Sequence, residues 1–318
     1  MKVSVIMTCH NEELYIEEAI RSVVKQTYYD NICEVIMIND GSDDGSKLIL
    51  DKLENEISKF SVIETTSIGV AAARNIALEK VSGDVIAILD GDDYWVTNKL
   101  EEQLSVFEKD PRIGLVYSDF FDFSERDASD ARLITVRRFD YNSERHLYDY
   151  FINDGPIMPS TILVLRKVFD DVGGFDENLR VGEDTDFCLR VAEKWRYCYV
   201  PGGLVYKRRR KGQLTQNLET LLPNAEIITK RYIDRNPRLE KYAGRRMARL
   251  YVKVSIYFSE KNDKKNALSH AFKALTLSWG YGRAWINVFI LILPSSVMQP
   301  LYRLAKRFYH SFRKLSVR

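Results

Sequence analysis

Asp84–Trp95 reads D-V-I-A-I-L-D-G-D-D-Y-W. The segment Asp84–Leu89 has strand character and stops abruptly at Asp90-Gly91-Asp92-Asp93, which places three carboxylates within four residues. Two unit charges ~4 Å apart interact by roughly 4 kcal/mol at an effective dielectric of 20, and here all carry one sign. Two readings are open. Asp is common in turns and at helix starts, so the cluster can be a solvated turn. Alternatively, the repulsion is relieved by a cation that the chain does not itself supply. The fully apolar strand puts the carboxylates at a sheet edge, and this favours the second reading: a D-x-D holding Mg²⁺ or Mn²⁺ through hard oxygen ligands, with the cation also binding substrate phosphates.

The segments around the cluster alternate in character. Lys2–Met7, Cys33–Ile38, Phe60–Glu64 and Ile113–Tyr117 are apolar and β-like. Between them, Glu12–Gln26, Ser46–Ile57, Val70–Lys80 and Leu100–Phe107 have helical spacing, with Asn11 expected as an N-cap of the first. This order predicts an α/β fold with a mostly parallel, helix-covered sheet. Ligands of such sheets bind beyond the carboxyl ends of the strands. Three polar clusters fall at those ends: Thr8–Glu12, Asn39–Asp44 and Asp90–Asp93. Residues 118–205 are mixed, with strands expected at Leu133–Arg137 and Thr161–Leu165 and a helix over Thr185–Lys194. Beyond residue 215 the pattern is helical almost throughout.

The 318 residues suffice for a large core in one or two domains. The net charge of +2 conceals an asymmetry: Lys264–Arg318 holds ten Lys/Arg and no Asp/Glu, leaving 37 basic against 45 acidic residues for the rest. A basic tail on an acidic body suggests an anionic surface as partner, and no nucleic acid is expected. Cys9, Cys33, Cys188 and Cys198 form no C-x-x-C pair, and free thiols in a reducing compartment are expected. The start, Met1-Lys2-Val3-Ser4-Val5, is too short and β-like for a signal peptide, so a cytoplasmic location is expected. Other nucleotide sites are excluded. No G-x-G-x-x-G follows the first strand, and Gly41–Lys47 lacks P-loop spacing and carries two Asp that would repel phosphate.

Six blocks taken in order resemble family 2 glycosyltransferases of the GT-A fold. They are Val3–Glu13, Ile38–Asp44, Gly69–Asn75, Leu89–Asp93, Gly173–Glu177 and Gly182–Asp186. The resemblance covers residues 2 to about 215 and implies a GT-A-type mixed, mostly parallel sheet with helices on both faces. It divides the chain into a glycosyltransferase domain, 1–215, and a helical extension, 216–318. The domain has a nucleotide-binding half, 1–117, and an acceptor half, 118–215. The resemblance also implies roles. Thr8, His10 and Glu12 lie on the loop around base and ribose, although the family often has Tyr where His10 stands. Asp40 accepts a hydrogen bond from the base, and Arg74 reaches the base–ribose–phosphate region. Asp90 faces the ribose or donor sugar, and Asp92, with Asp93 adjacent, holds a divalent cation. Asp184 of the Glu183-Asp184 pair is the base, with Glu183, Trp95 and Phe175 on the acceptor side. Arg210 stands where the family often has a histidine near the metal or diphosphate. An arginine does not ligate a metal but can fork onto phosphate, so Arg208 and Arg210 are expected at the diphosphate, or alternatively in a basic loop facing lipid phosphates.

The implied reaction is inverting transfer from a nucleotide-sugar, a UDP-sugar first, to a hydroxyl of a glycan or lipid-linked acceptor, in envelope or extracellular polysaccharide or glycolipid synthesis. Rival readings are a sugar-nucleotide-binding scaffold without turnover and a D-x-D phosphatase, for which Tyr94 is the wrong residue. In the tail, the nine-residue run Trp285–Leu293 falls short of the about 20 apolar residues that span a membrane. Leu301–Leu315 has an apolar face with basic residues between, and two readings stay open: a helix on an anionic membrane, or one docked on the catalytic domain. The first makes residues 285–318 a peripheral contact with the cytoplasmic face of a membrane.

Overall fold

The computed structural model describes residues 1–124, 128–136, 138, 146–153, 157–210, 220–293 and 301. These fall into two compact units. One comprises Met1–Leu147 with Pro156–Gln213, the other Tyr148–Gly155 with Leu214–Arg318.

The first unit is built on a nine-stranded sheet. Its strands are β1 (Val3–Cys9), β2 (Ile32–Asp40), β3 (Phe60–Thr65), β4 (Val85–Asp90), β5 (Tyr94–Trp95), β6 (Ile113–Ser124), β7 (Arg132–Ile134), β8 (Leu163–Leu165) and β9 (Arg196–Arg209). The order is β3-β2-β1-β4-β8-β6-β9-β5, with β7 pairing β6 at the side. β3, β2, β1 and β4 run parallel, while β8 is antiparallel to both β4 and β6. The expected mixed, mostly parallel sheet is present, with helices on both sides. The helices include α1 (Ile16–Val24), α2 (Ser46–Glu56), α3 (Val70–Leu78), α4 (Lys99–Leu104), α6 (Arg166–Val172) and α7 (Glu183–Lys194), with α5 (His146–Asn153) lying between α4 and α6 in the chain. The central strands have no solvent-facing side: Val3, Val5, Ile6, Met7, Val85, Ile86, Ala87 and Leu89 are all fully buried. Continuous apolar strands of this kind belong to parallel sheets covered on both faces.

Register aligns the strand ends. Thr8 lies beside Ile38 on one flank and Asp90 on the other, and Asp40 lies beside Thr65. The three polar clusters therefore do emerge along one edge. Other expectations shift. α1 begins four residues later than its periodicity suggested, because Asn11 adopts φ 56° and the Glu12 carbonyl closes a turn on Tyr15 and Ile16. Asn11 is not the cap. Its side chain accepts from the Asp43 amide and so ties the first loop to the second. The 14-residue strand β9 was not anticipated; its 201-PGG-203 segment interrupts the apolar pattern, and Gly202 adopts φ 106°. The expected strand at Leu133–Arg137 shortens to β7, and Arg137 lies outside the described residues.

The second unit is helical: α8 (Leu221–Arg235), α9 (Glu240–Glu260), α10 (Lys264–Leu277) and α11 (Gly282–Ile292). Ala267, Ala271 and Ala274, all fully buried, give α10 a narrow face that lets α9 and α11 approach closely. Asn287 donates to Ser255 Oγ, which donates to the Ala267 carbonyl, so a polar chain within this core is satisfied. Buried Arg246 binds Thr229 Oγ1 and the Phe151 carbonyl, fastening Phe151 to these helices. The helical segment predicted at Leu301–Leu315 lies outside the described residues apart from Leu301.

Candidate active site

The three aspartates that end β4 meet three different environments. Asp93 turns into the protein. Its Oδ2 accepts from Ser160 Oγ at 2.7 Å and its Oδ1 from the Arg208 amide at 3.0 Å. Burial, followed by Asp92 and Asp90, pushes its carboxyl well above the usual range. Asp92 accepts at Oδ2 from Arg210 Nε at 2.7 Å. Asp90, about a third exposed, accepts at Oδ1 from Arg74 Nη2 at 2.7 Å. Gly91 between them has no room for a side chain: a Cβ would stand 2.2 Å from Glu12 Oε2 and 2.7 Å from Ile16 Cδ1.

Glu12, on the first loop, is buried against this turn. Its Oε1 accepts from Arg210 Nη2 at 2.7 Å, while its Oε2 has no hydrogen-bond partner among the described residues. Burial, then the Asp92 charge, pushes its carboxyl well up, and the Arg210 guanidinium opposes this. Arg210 therefore forks across Glu12 and Asp92. It reaches them because β5 pairs Tyr94 with Tyr206, which sets the end of β9 beside the aspartate turn.

Arg74 makes the second bridge. It projects from α3, is buried, and joins Asp90 to Glu183, whose Oε1 accepts at 3.0 Å and which lies 109 residues from Arg74 in sequence. Glu183, expected on the acceptor side, is thus committed to Arg74. Asp184 follows in the first turn of α7, after Gly182 at φ 91°. Its Oδ1 accepts from the Thr185 amide at 2.6 Å, and a carboxylate is favoured at a helix N-terminus. The Gly173–Glu177 loop is pinned from two sides. Arg190 donates to the carbonyls of Val172, Gly173 and Gly174, and Asn75 exchanges hydrogen bonds with the backbone of Phe175.

Asp40 is buried, and its carboxylate accepts from Thr65 Oγ1 and the amides of Ile68 and Gly69 at 2.7–2.8 Å. These contacts organise the loop ahead of α3. His10 Nδ1 donates to the Asp40 carbonyl at 2.7 Å, which leaves its exposed ring on the same edge. Thr8, one residue before the end of β1, lies opposite Asp90.

Four expectations need correction. Asp93, expected as a metal ligand, has both oxygens engaged by the protein. Trp95 is 3% exposed, donates to the Ser160 carbonyl and lies under Lys99 Nζ at 4.3 Å. Phe175 is 4% exposed and packs on Phe187 at 4.9 Å. Neither ring is open to a sugar face. Arg208 is not at the surface for a diphosphate. It is buried between the rings of Tyr15 and Phe123, pairs with Glu18, and donates from Nε to the Asp92 carbonyl. Sequence reasoning missed Ser160, whose Oγ also accepts from the Asp90 amide at 3.2 Å. Nothing in its local sequence, Met158-Pro159-Ser160-Thr161, marks it. The four cysteines are free, and burial pushes the Cys9 thiol up to about 12.

Of the two expected ligands, Asp92 accepts at Oδ2 from Arg210 Nε, and Asp93 accepts from Ser160 Oγ and the Arg208 amide. Among the described residues no group of three or more His, Cys, Asp and Glu side chains is arranged to hold a metal.

Fold and site together define an α/β protein with an acidic, arginine-bridged site at the carboxyl ends of parallel strands. The model of the glycosyl transferase family 2 matches residues 4–173, more than half of the chain, and the protein belongs to that family. An uncharacterised glycosyltransferase of Haemophilus influenzae is 36% identical over 141 residues, covering 44% of this chain and 55% of its own. An Escherichia coli protein named UDP-Glc:alpha-D-GlcNAc-diphosphoundecaprenol beta-1,3-glucosyltransferase is 38% identical over 118 residues, 37% of this chain and 45% of its own. The matches thus span about half the length of these relatives or less. Staphylococcus aureus TarS 1-349, solved with UDP-GlcNAc, superposes with a TM-score of 0.60 at 18% identity over 92% of this chain and 90% of that one. A mannosyltransferase from Pyrobaculum calidifontis, solved with GDP-Man and Mn²⁺, gives 0.61 at 18% identity over 99% and 87%. These likenesses establish the GT-A fold.

Proposed function

We propose that the protein transfers a glycosyl group from a nucleoside-diphosphate sugar, a UDP-sugar first, to a hydroxyl acceptor with inversion at the anomeric carbon. The observation that carries this reading is the Arg74 bridge, which draws the end of β4 and the start of α7 to one place. Asp184 is then the general base. The acceptor oxygen attacks the anomeric carbon, its proton passes to the Asp184 carboxylate, and the bond to the diphosphate breaks with its electron pair leaving on phosphate. Asp90, held by Arg74, faces the donor sugar. Thr8, His10 and Asp40 line the nucleotide side. Residues 1–215 form the catalytic domain, in halves 1–117 and 118–215.

The UDP preference draws support from the E. coli relative and from the nucleotide in the TarS complex. The name of the E. coli relative also supports a lipid-linked acceptor and a role in envelope glycan synthesis. The test is a thermal-shift panel of UDP-, GDP- and dTDP-sugars. The preferred donor at 100 times its Kd should stabilise the fold by about 2.7 kcal/mol. A panel in which no nucleotide-sugar raises the melting temperature would remove the reading, and donor binding with no transfer to any acceptor extract would favour the scaffold. A phosphoaspartate trapped on Asp90 would favour the phosphatase.

A second reading concerns α11. No helix among the described residues is long and apolar enough to cross a membrane. Yet α11 exposes Trp285, Ile286, Phe289 and Ile292, and Trp279 packs edge-on to Trp285 at 4.4 Å. With no acidic residue after Asp263, this face suits the interface of an anionic bilayer on its cytoplasmic side. Co-sedimentation with phosphatidylglycerol vesicles is expected, and Phe289→Asp should weaken it by about tenfold or more, since burying such a side chain contributes about 1.5–3 kcal/mol. Equal sedimentation of both proteins would exclude the helix as the contact.

A further inference from the structure

Behind the aspartate turn, two buried side chains hold neighbouring carbonyls of the Pro159–Thr161 turn. Trp95 Nε1 donates to the Ser160 carbonyl at 3.0 Å, and Gln103 Nε2 to the Thr161 carbonyl at 2.8 Å. Ser160 in turn holds the aspartates, donating from Oγ to Asp93 Oδ2 and accepting from the Asp90 amide. Lys99 stands between Trp95 and Gln103 in sequence, at the start of α4. It is fully buried, with Nζ 4.3 Å above the Trp95 ring. Lys99 and Gln103 are one helical turn apart, yet among the described residues neither Lys99 Nζ nor Gln103 Oε1 has a hydrogen-bond partner. A ring face attracts an ammonium, but by less than it costs to take an unpaired ion out of water. Burial therefore pushes the Lys99 amine well below the usual lysine range.

The charges on the elements around Lys99 are engaged elsewhere or lie at the surface. On α4, Glu101 and Glu102 are exposed and accept from Thr27 and Asn98. On α1, Glu17 pairs with Arg21 and Glu18 with Arg208, and Lys25 just beyond it is exposed. On β9, Arg196 pairs with Asp110, and Arg209 with Asp122 and Asp130, while Lys207 is half-buried. Tyr197 and Tyr199 of that strand donate to the Cys188 carbonyl and to Asp119, Cys198 contacts the Tyr199 carbonyl, and Tyr94 of β5 stacks on Tyr206. The Pro159–Thr161 turn carries no titratable side chain.

We propose that Lys99 is a positioning residue for the donor site: as the free amine it seats Trp95 and the Ser160 turn beneath the aspartates, and on taking a proton it leaves for water and the aspartate turn loosens. The inference rests on the glycosyl-transfer reading, because it presumes a nucleoside diphosphate at that turn. Nucleophile and base keep the roles given above. What the proton changes is the fraction of chains whose aspartate turn is set, and the apparent affinity is the intrinsic one reduced by that fraction. Donor binding through this device weakens as pH falls. Stability has the same sign. The folded chain takes the Lys99 proton less readily than the unfolded chain does, so this group's contribution to stability rises with pH until the ordinary lysine value of about 10.4 is reached.

The experiment compares the full chain with Lys99→Met, whose side chain has similar length and takes no proton. UDP binding with Mg²⁺ present is measured by isothermal titration calorimetry between pH 6 and pH 9. Protonation of UDP and of His10 affects both proteins alike, so the ratio of the two Kd values isolates Lys99. That ratio, unaltered protein over Lys99→Met, should rise about tenfold as pH falls across the range, the factor that one proton supplies over one pH unit below its midpoint. Lys99→Ala leaves the Trp95 ring unsupported and should bind UDP more weakly than Lys99→Met at every pH. If Lys99→Met does not fold, Lys99→Leu carries the same comparison. Urea midpoints of the same pair give a second readout: the unaltered chain should lie below Lys99→Met by a margin that narrows as pH rises. A Kd ratio constant within about twofold, a small fraction of the tenfold that 1.4 kcal/mol represents, would overturn the inference while leaving glycosyl transfer intact. Urea midpoints that run parallel with pH, or equal UDP binding by Lys99→Ala and Lys99→Met, would overturn it as well. Failure of UDP and GDP to bind to either protein at any pH would remove the functional reading and this inference with it.

Discussion

Asp184→Asn is expected to lower sugar transfer by about 10²–10⁴-fold, the usual contribution of a positioned general base, with donor binding nearly unchanged. The substitution keeps the shape of the side chain, and the amide oxygen can still accept from the Thr185 amide, as Asp184 Oδ1 does. The start of α7 therefore has no reason to unwind. On the proposed mechanism, what is lost is the ability to take the acceptor proton. The neighbouring carboxylate cannot stand in, because Glu183 is held by the buried Arg74. The check is a radiolabelled transfer assay at saturating donor beside a UDP titration. A fall in the rate constant at constant donor affinity supports the role. Transfer at the unaltered rate would take it away from Asp184.

The second large effect is on stability. Arg74→Ala should cost about 3–5 kcal/mol, because removing one partner of a buried ion pair leaves the other charge uncompensated. Here two carboxylates are stranded. Glu183 has a side chain only 11% exposed and would keep little water for compensation; Asp90, at 30%, would recover more. The guanidinium also stands 5.3 Å from the Phe175 ring, so its loss opens space against the loop that Asn75 and Arg190 pin. Against a total stability of about 5–15 kcal/mol for a typical domain, this is a large fraction. Urea unfolding measures it as a lower midpoint with an unchanged slope. Arg74→Lys should recover part of the loss, since it retains charge but cannot reach two carboxylates as a fork. A midpoint for Arg74→Ala equal to that of the unaltered protein would mean that the bridge contributes nothing.

The parallel half of the sheet was legible in the sequence. The largely apolar runs Lys2–Met7, Cys33–Ile38 and Asp84–Leu89 and the helical spacing of Val70–Lys80 correspond to Val3–Cys9, Ile32–Asp40, Val85–Asp90 and Val70–Leu78. Such signals are local, because a strand buried on both faces must be apolar whatever its partners are. The polar loops at the carboxyl ends follow from the same logic, and so does their convergence on one edge once the strands are parallel. The antiparallel half was less legible. β9 carries polar and glycine residues through its length, and its pairing with β6 and β5 rests on long-range register rather than on period.

The sequence by itself determined that three carboxylates end a buried strand beside two other polar loops. It did not determine what each carboxylate does. Asp90, Asp92 and Asp93 are chemically identical and nearly adjacent, yet one meets Arg74, 16 residues away, one meets Arg210, 118 away, and one meets Ser160, 67 away. The ionic state and orientation of a carboxylate are set by burial and by the charges within a few ångströms, and only the tertiary structure brings those charges there. For the same reason Trp95, Phe175 and Arg208, which as residue types could as well hold sugar or phosphate, become parts of the core. Arg210, which stood out in sequence only as a departure from the family pattern, becomes the cation facing the aspartate turn.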